Sequence, residues 1–239
     1  MTARYAHPSF APILAADPAR PYVIAQLGQS LDGRIATLSG ESRTISGPAA
    51  LDHLHALRTA VDAVIVGVGT VVADDPLLNV RRVIGVSPAR VIIDPQGRMP
   101  AGARCLQGDG AMVIVISAAG APRADGASAI AMPRQADGRI APAAIIAALF
   151  ALGLKRLLVE GGANTVSAFI DAGCVDRLHL LVAPLIIGSG QPGLNLAPIA
   201  RLSQALCPQT SVYPLPGGDV VFDCDLRARR APPVSGGNP

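Results

Sequence analysis

The chain has no tryptophan, and three tyrosines and four phenylalanines hold the aromatic share to 3% of its 239 residues. Nucleic-acid surfaces interleave aromatic with basic side chains. No basic run here does so, and the formal net charge is only +3, which argues against a nucleic-acid partner. Lysine is nearly absent: nineteen of the twenty basic residues are arginine, beside abundant alanine, the mark of a genomic composition bias. Cysteine is sparse, and Cys105, Cys174, Cys207 and Cys224 form no Cys-x-x-Cys pair, so neither zinc-site spacing nor a disulfide framework is expected. The four histidines, His7, His53, His55 and His179, form no ligand pattern with carboxylates. No metal is expected. The N-terminus lacks a basic start followed by an apolar core, and no apolar stretch approaches the roughly 20 residues of a membrane helix. These absences together predict a reduced, cytoplasmic protein without a membrane partner.

Half of the residues are hydrophobic, enough for a sizeable core, and the length suits one domain, since α/β units often exceed the usual run of about 100–200 residues. Residues 1–20 are rich in alanine and proline without periodicity and are expected to form a loose arm. The segment 227–239 has almost nothing to bury and is expected to be disordered, leaving a globular unit over 21–226.

Within that unit, short apolar runs alternate with helical periods. Strands are expected at Tyr22 to Leu27, Ala63 to Val66, Arg90 to Asp94, Met112 to Ile116, Ala127 to Ala131, Arg156 to Val159 and Leu178 to Val182, with a last edge strand at Asp219 to Asp223. Helices are expected at Pro48 to Ala60, with Leu51, Leu54, Leu57 and Val61 on one face, at Ala141 to Leu152 and at Ala163 to Ala172. Proline is tolerated at the start of the first, and glycines end the other two. The alternation predicts an α/β fold with a mainly parallel central sheet flanked by helices. In such sheets ligands bind beyond the carboxyl ends of the strands.

Two glycine turns fall at those ends. Leu157-Leu158-Val159-Glu160-Gly161-Gly162-Ala163-Asn164-Thr165-Val166 reads as strand, tight turn and helix start. Unpaired amides and the helix dipole at such a start attract a phosphate, and glycine permits close approach. Val64-Ile65-Val66-Gly67-Val68-Gly69-Thr70 repeats the arrangement and leads into Ala73-Asp74-Asp75-Pro76. One such turn is equally well an ordinary strand-to-helix corner; two suggest a dinucleotide along one sheet edge. Ser30-Leu31-Asp32-Gly33-Arg34 is either a plain Asp-Gly turn or a loop over a planar ligand. Gly40-Glu41-Ser42-Arg43-Thr44 offers hydroxyls for a phosphate or sugar. Arg58 is either a stem snorkelling from its helix or, with Arg81, a paired fork for a phosphate monoester.

The ordered set Gln26 to Ala36, Gly40-Glu41-Ser42, Ile45-Ser46-Gly47, Leu57-Arg58, Val66 to Val71, Asp74-Asp75-Pro76 and Val159 to Gly162 resembles the reductase domain of riboflavin biosynthesis, the pyrimidine reductase of dihydrofolate-reductase-like fold, over about residues 21–224. The resemblance implies NADPH-dependent reduction of a ribosylamino-pyrimidine phosphate to its ribitylamino form, with hydride going to the first sugar carbon of an open, imine-like state. It implies NADPH neighbours at Gly28, Thr44, Gly69, Thr70, Asp74 and the turn from Gly161 and Gly162 through Ala163, Asn164, Thr165 and Val166 to Ala168, and a backbone contact at Pro95. It implies a substrate side of Ser42, Arg58, Leu78, Arg81 and Glu160, and a homodimer. Arg98 is a candidate for the coenzyme 2′-phosphate, and Asp74 and Glu160 are the carboxylates considered as proton donors.

Bacterial two-domain members usually carry lysine where Gln26 stands and tryptophan where Thr44 stands; archaeal and fungal stand-alone reductases, which act before deamination, lack that lysine too. The zinc deaminase signature of the two-domain enzymes is absent. The exact pyrimidine stays open at this point, as does reduction of another heterocycle such as a pterin or dihydrofolate. A non-catalytic nucleotide-binding module is the alternative of another class.

Overall fold

The computed structural model describes residues 7–122 and 124–230. Eleven strands lie within them: β1 (Tyr22–Ser30), β2 (Arg34–Thr37), β3 (Ala63–Gly67), β4 (Ala89–Ile93), β5 (Val113–Ala118), β6 (Ser128–Met132), β7 (Arg156–Glu160), β8 (Arg177–Ala183), β9 (Gly190–Pro192), β10 (Cys207–Pro214) and β11 (Val220–Arg230). The helices are α1 (Ala11–Leu14), α2 (Pro48–Thr59), α3 (Val68–Asp74), α4 (Pro142–Ala151) and α5 (Ala163–Asp171). Nine strands form one sheet in the order β10-β11-β8-β1-β7-β3-β4-β5-β6, and β2 pairs with β9 in a separate ribbon. From β8 to β6 every pairing is parallel; β11 and β10 are added antiparallel. This is the mainly parallel α/β sheet that the alternating pattern predicts.

Side chains alternate across a strand, and the two faces therefore bury different residues of the same apolar runs. Val23 and Ala25 of β1 and Leu157 and Val159 of β7 pack with Ile145 and Leu149 of α4 and Val166, Phe169 and Ile170 of α5. Tyr22, Ile24 and Leu158 face the other way, against Ala56 and Leu57 of α2 and Val68 and Val71 of α3. The parity matters for the site. Glu160 shares the side of Leu158, so the last residue of β7 looks toward α2.

Four expectations need correction. Residues 8–14 are no loose arm: they form two short helical turns whose apolar residues three apart, Phe10 and Ile13, are buried in one cluster with Tyr22 of β1 and Ala56 and Leu57 of α2. The strand at Asp219 to Asp223 is longer and is not an edge; β10 pairs outside it. That strand continues to Arg230, which overturns disorder for 227–230, while the expectation for 231–239 lies outside the described residues, as does that for residues 1–6. The stripe on α2 also splits. Leu57 enters the core, but Leu51 and Leu54 look into the cleft described below.

On α2, two histidines are buried on different sides, as their spacing requires. His53 Nε2 lies 3.4 Å from His179 Nδ1, and His179 lies 3.3 Å from the Asp223 carboxylate, which also accepts from Arg177. His55 Nδ1 accepts the Arg81 N–H at 3.2 Å. Burial first, then the like charge of neighbouring histidines, pushes His53 down to about 3 from an ordinary 6.5. Burial, then the cations Arg58, Arg81 and Arg82, pushes His55 down to about 4. Both rings are neutral in the fold, and the unfolded chain binds their protons more readily. The stability they contribute is therefore complete above about pH 6.5 and lost as pH falls through the window toward 4 and then 3. Denaturant midpoints should fall between about pH 7.5 and about pH 5, before carboxylate protonation contributes, and His55→Gln should flatten the slope. A midpoint constant across that interval contradicts the assignment.

Candidate active site

The carboxyl ends of β1, β3, β4 and β7 open into one cleft of about 1140 Å³, somewhat larger than the roughly 300–1,000 Å³ usual for small-molecule pockets. It is closed on one side by the β2–β9 ribbon, which contributes Ala36, Gln191 and Pro192, and on the other by α2 and α3. The ribbon is held by Asp32. Its carboxylate accepts from Ser30 Oγ at 2.6 Å and from the Ile187 and Gly188 N–H groups at 3.1 and 2.7 Å, and these bonds hold its pKa down to about 2. Asp32 does not line the cleft, so its plain turn reading stands.

At one end the glycine corners meet. Gly161 has φ of +108°, a conformation costly for a side chain, and a Cβ there would lie 3.1 Å from Thr70 Oγ1. Gly162 donates its N–H to that same hydroxyl at 3.1 Å. A Cβ on Gly67 would stand 2.5 Å from Thr165 Oγ1, so the second corner is glycine because α5 crosses it closely. No side chain caps α5, and its first residues Ala163, Asn164 and Thr165 line the cleft. Helix geometry leaves the Ala163 and Asn164 amides without an intrahelical partner, while the Thr165 N–H donates to the Gly162 carbonyl at 3.0 Å. These features fit a dinucleotide's pyrophosphate: a dipole-favoured helix start, no Cβ in the way, and a hydroxyl fixing the corner.

The other end is built around a buried ion pair. Arg58 of α2 is 4% exposed and Glu160 of β7 is 8% exposed. Arg58 Nε donates to Glu160 Oε2 at 2.8 Å, Nη2 donates to Oε1, and Nη1 donates to the Asn79 carbonyl at 2.8 Å. All three guanidinium nitrogens are thus engaged, and Arg58 does not line the cleft. With these donors turned inward, Arg58 holds Glu160 and the 79–81 segment. Glu160 does line the cleft, and both of its oxygens accept from Arg58. Gln26, paired in register with Glu160, lies beside it in the cleft floor.

Between α3 and Arg81 the backbone takes two left-handed turns at non-glycine residues, Asp75 (φ 42°) and Leu78 (φ 54°). Such residues collect at functional sites. Asp75 is fastened by its own N–H to Val71 O and by its carboxylate, which accepts the Arg104 N–H at 2.8 Å. The result brings Leu78 and Arg81 to the cleft wall.

Of the residues expected for the coenzyme, Gly28, Gly69, Thr70, Asp74, Gly161, Gly162, Ala163, Asn164, Thr165, Ala168, Pro95 and Arg98 line the cleft. Thr44 and Val166 do not. Thr44 points into solvent from a turn whose neighbours Arg43 and Ile45 face the cleft, and Val166, on the inner face of α5, packs in the core. Of the residues expected for the substrate, Ser42, Leu78, Arg81 and Glu160 line the cleft and Arg58 lies behind Glu160. Reading the sequence overlooks Ser46, Leu51, Leu54 and Arg104, also in the lining. The α2 leucines carry the same apolar signal as core residues, and Arg104 sits in a segment without period. Among the described residues no group of histidine, cysteine and carboxylate side chains is arranged to hold a metal ion, and no helix is long and apolar enough to cross a membrane.

Residues 21–206 match the family described as the RibD C-terminal domain. Over 178 residues the chain is 36% identical to the 2,5-diamino-6-ribosylamino-4(3H)-pyrimidinone 5′-phosphate reductase of Methanothermobacter thermautotrophicus, covering 71% of this chain and 80% of that protein. It is 36% identical over 172 residues to the riboflavin biosynthesis protein RibD of Aquifex aeolicus, covering 72% of this chain and 48% of that one, so it spans about half the length of this second relative. The solved riboflavin biosynthesis reductase Rib7 of Saccharomyces cerevisiae superposes with a TM-score of 0.72 at 23% identity, covering 88% of this chain and 92% of that one, a likeness of fold. With its parallel sheet, its glycine-cornered cleft and this match over most of its length, the chain belongs to the RibD C-terminal domain family, the pyrimidine reductases of riboflavin biosynthesis.

Proposed function

We propose that this chain uses NADPH to reduce a phosphoribosylamino-pyrimidine to its ribitylamino phosphate, and that the pyrimidine is the aminated one. The observation that carries the reading is the continuity of the cleft: a nucleotide cradle at α5 and an arginine-bordered pocket over Glu160 share one volume. A non-catalytic nucleotide holder needs only the first.

NADPH supplies hydride for the first sugar carbon of the open, imine-like substrate. Gly161, Gly162 and the leading α5 amides would hold its pyrophosphate, with Thr70 bracing that corner through the Gly162 N–H. Glu160 and Gln26 form the floor beneath the heterocycle. A carboxylate and an amide carbonyl accept hydrogen bonds, which suits the extra exocyclic amino group of the aminated pyrimidine; a lysine in place of Gln26 would offer donors and suit the carbonyl of the deaminated one. The similarity to a reductase named for the aminated substrate supports this choice. Reduction of the imine needs one hydride at carbon and one proton at the adjacent nitrogen. Asp74, exposed on the cleft wall and free of the ion pair that occupies Glu160, is the carboxylate available to relay that proton from water. The same reading includes a homodimer, and the open edge of β10, where Val212 is exposed, supports it.

Loss of NADPH absorbance, followed in parallel with the aminated pyrimidine phosphate, the deaminated one and dihydrofolate, tests the assignment. The aminated substrate should give the highest kcat/KM, and Gln26→Lys should shift preference toward the deaminated compound. Turnover of dihydrofolate alone would favour a pterin reductase, and turnover of none would favour the nucleotide-binding module.

The coenzyme cradle is tested by Gly162→Val, which places a branched side chain beside Thr70 at the start of α5. NADPH affinity should fall at least about tenfold, the scale of losing one good charge-assisted contact, with a cooperative unfolding transition retained. Unchanged NADPH affinity in the folded variant contradicts the placement of the pyrophosphate.

A further inference from the structure

The first turn of α2 is gripped by the hairpin of β10 and β11. Asp219, just before β11, is 1% exposed, and its two carboxylate oxygens accept the Gly47 N–H at 3.3 and 3.2 Å. Gly47 precedes α2 and brings no capping side chain of its own. The carboxylate therefore supplies both the acceptor and the negative charge that a helix start favours. A Cβ on Gly47 would stand 2.5 Å from Asp219 Oδ2, so only glycine leaves the carboxylate its approach. The aspartate is fixed in turn. Its carbonyl accepts the Leu215 N–H at 2.7 Å, and Leu215 and Val221 are buried with Ala50 of α2 and Leu181 of β8. Val221 lies opposite Leu181, and Leu181 opposite Gly28 of β1, which lines the cleft. The seat of α2 thus runs across the sheet from the hairpin to the cleft.

Ser46, the residue before Gly47, also lines the cleft. A Cβ on Gly28 would lie 2.9 Å from Ser46 Oγ and 4.0 Å from Gln26 Nε2. The missing side chain at Gly28 leaves the serine hydroxyl its place beside the Gln26 amide. Among the described residues that hydroxyl has no hydrogen-bond partner, and it can donate as well as accept. We propose that Asp219 is a positioning residue for the reaction: through the Gly47 N–H it holds Ser46 Oγ where that hydroxyl donates to a ring carbonyl of the pyrimidine. This rests on the reading of the substrate as a pyrimidine phosphate. Glu160 and the Gln26 carbonyl supply acceptors to the heterocycle, and Ser46 supplies the donor that its carbonyl needs. A residue near the end of the chain thereby fixes a contact made near its beginning.

A double-mutant cycle on the full chain tests this, with steady-state NADPH oxidation on the aminated pyrimidine phosphate and calorimetric NADPH affinity as readouts. Ser46→Ala should raise the pyrimidine KM about three- to tenfold, the scale of one hydrogen bond, with kcat and NADPH affinity held. That split marks a contact made equally in ground and transition states. Asp219→Ala should raise KM at least as much, and Asp219→Asn, which keeps one acceptor, should recover part of the loss. Adding Ser46→Ala to Asp219→Ala should cost little more, because residues that act through one another are not additive. Should Asp219→Ala fail to fold, Gly47→Ala, which crowds the carboxylate off the same N–H, takes its place in the cycle. Additive KM effects overturn the proposal, as does a lowered melting temperature with unchanged KM in Asp219→Ala, the result for a mere helix cap. A fall in NADPH affinity in Ser46→Ala also overturns it and moves the hydroxyl to the coenzyme. Normal turnover by the parent with an unchanged KM in Ser46→Ala removes the contact alone, whereas a parent that turns over no pyrimidine phosphate removes it together with the reaction assigned above.

Discussion

The Arg58–Glu160 pair is the interaction on which one end of the cleft depends. Two charges taken out of water are costly unless their geometry is good and their remaining donors are satisfied. Here both carboxylate oxygens face the guanidinium and the third nitrogen finds the Asn79 carbonyl. The pair does three things at once. It docks the last turn of α2 against the end of β7. It presents a carboxylate at the cleft floor in a fixed orientation. Through Asn79 it also anchors the segment that delivers Leu78 and Arg81 to the wall.

The α5 end of the cleft depends on a different constraint, the crossing of strand corners by α5. The chain lays β3 through β6 outward from the middle of the sheet, then returns to insert β7 between β1 and β3. That insertion places the Gly161 corner beside the Gly67 corner, and Thr70 and Thr165 each reach across from one to the other. Ligands in open parallel sheets lie in crevices of this kind, beyond strand ends whose connections diverge. The two ends of the cleft share β7, whose final residue belongs to the ion pair and whose following glycines belong to the cradle. Charge and backbone freedom are thus specified by three consecutive residues.

Much of this was legible in the sequence, for physical reasons that also explain what was not. Buried parallel strands are short apolar runs bounded by glycine and polar turns, so β1, β3, β4, β5, β7 and β8 can be read directly. The glycine corners announce themselves because only glycine tolerates the close approach at Gly67 or the backbone at Gly161. By contrast, β10 is largely exposed and carries two prolines, so no alternation marks it, and its pairing outside β11 is a tertiary fact. Ion pairs between residues 102 positions apart leave no local trace: Arg58 and Glu160 were both expected at the substrate, and only the fold shows that one spends the other's charge. Thr44 and Val166 were carried along by position in a motif, though one faces solvent and the other the core. Arg104 was invisible for the opposite reason, lying in an irregular segment whose place is fixed by a single carboxylate.

The central claim is that Arg58 and Glu160 act as one unit, with Arg58 positioning the carboxylate and making no contact with phosphate. A double-mutant cycle on unfolding free energy and pyrimidine KM, using Arg58→Met, Glu160→Gln and the two combined, tests it most directly. Breaking a buried pair by removing one partner costs about 3–5 kcal/mol, whereas replacing both can be nearly neutral. The account predicts that each single change destabilises the fold strongly, that the combined change costs far less than their sum, and that all three raise the pyrimidine KM while NADPH affinity holds. Additive effects on stability, with Arg58→Met harming only phosphorylated substrates, would contradict it and return Arg58 to the phosphate.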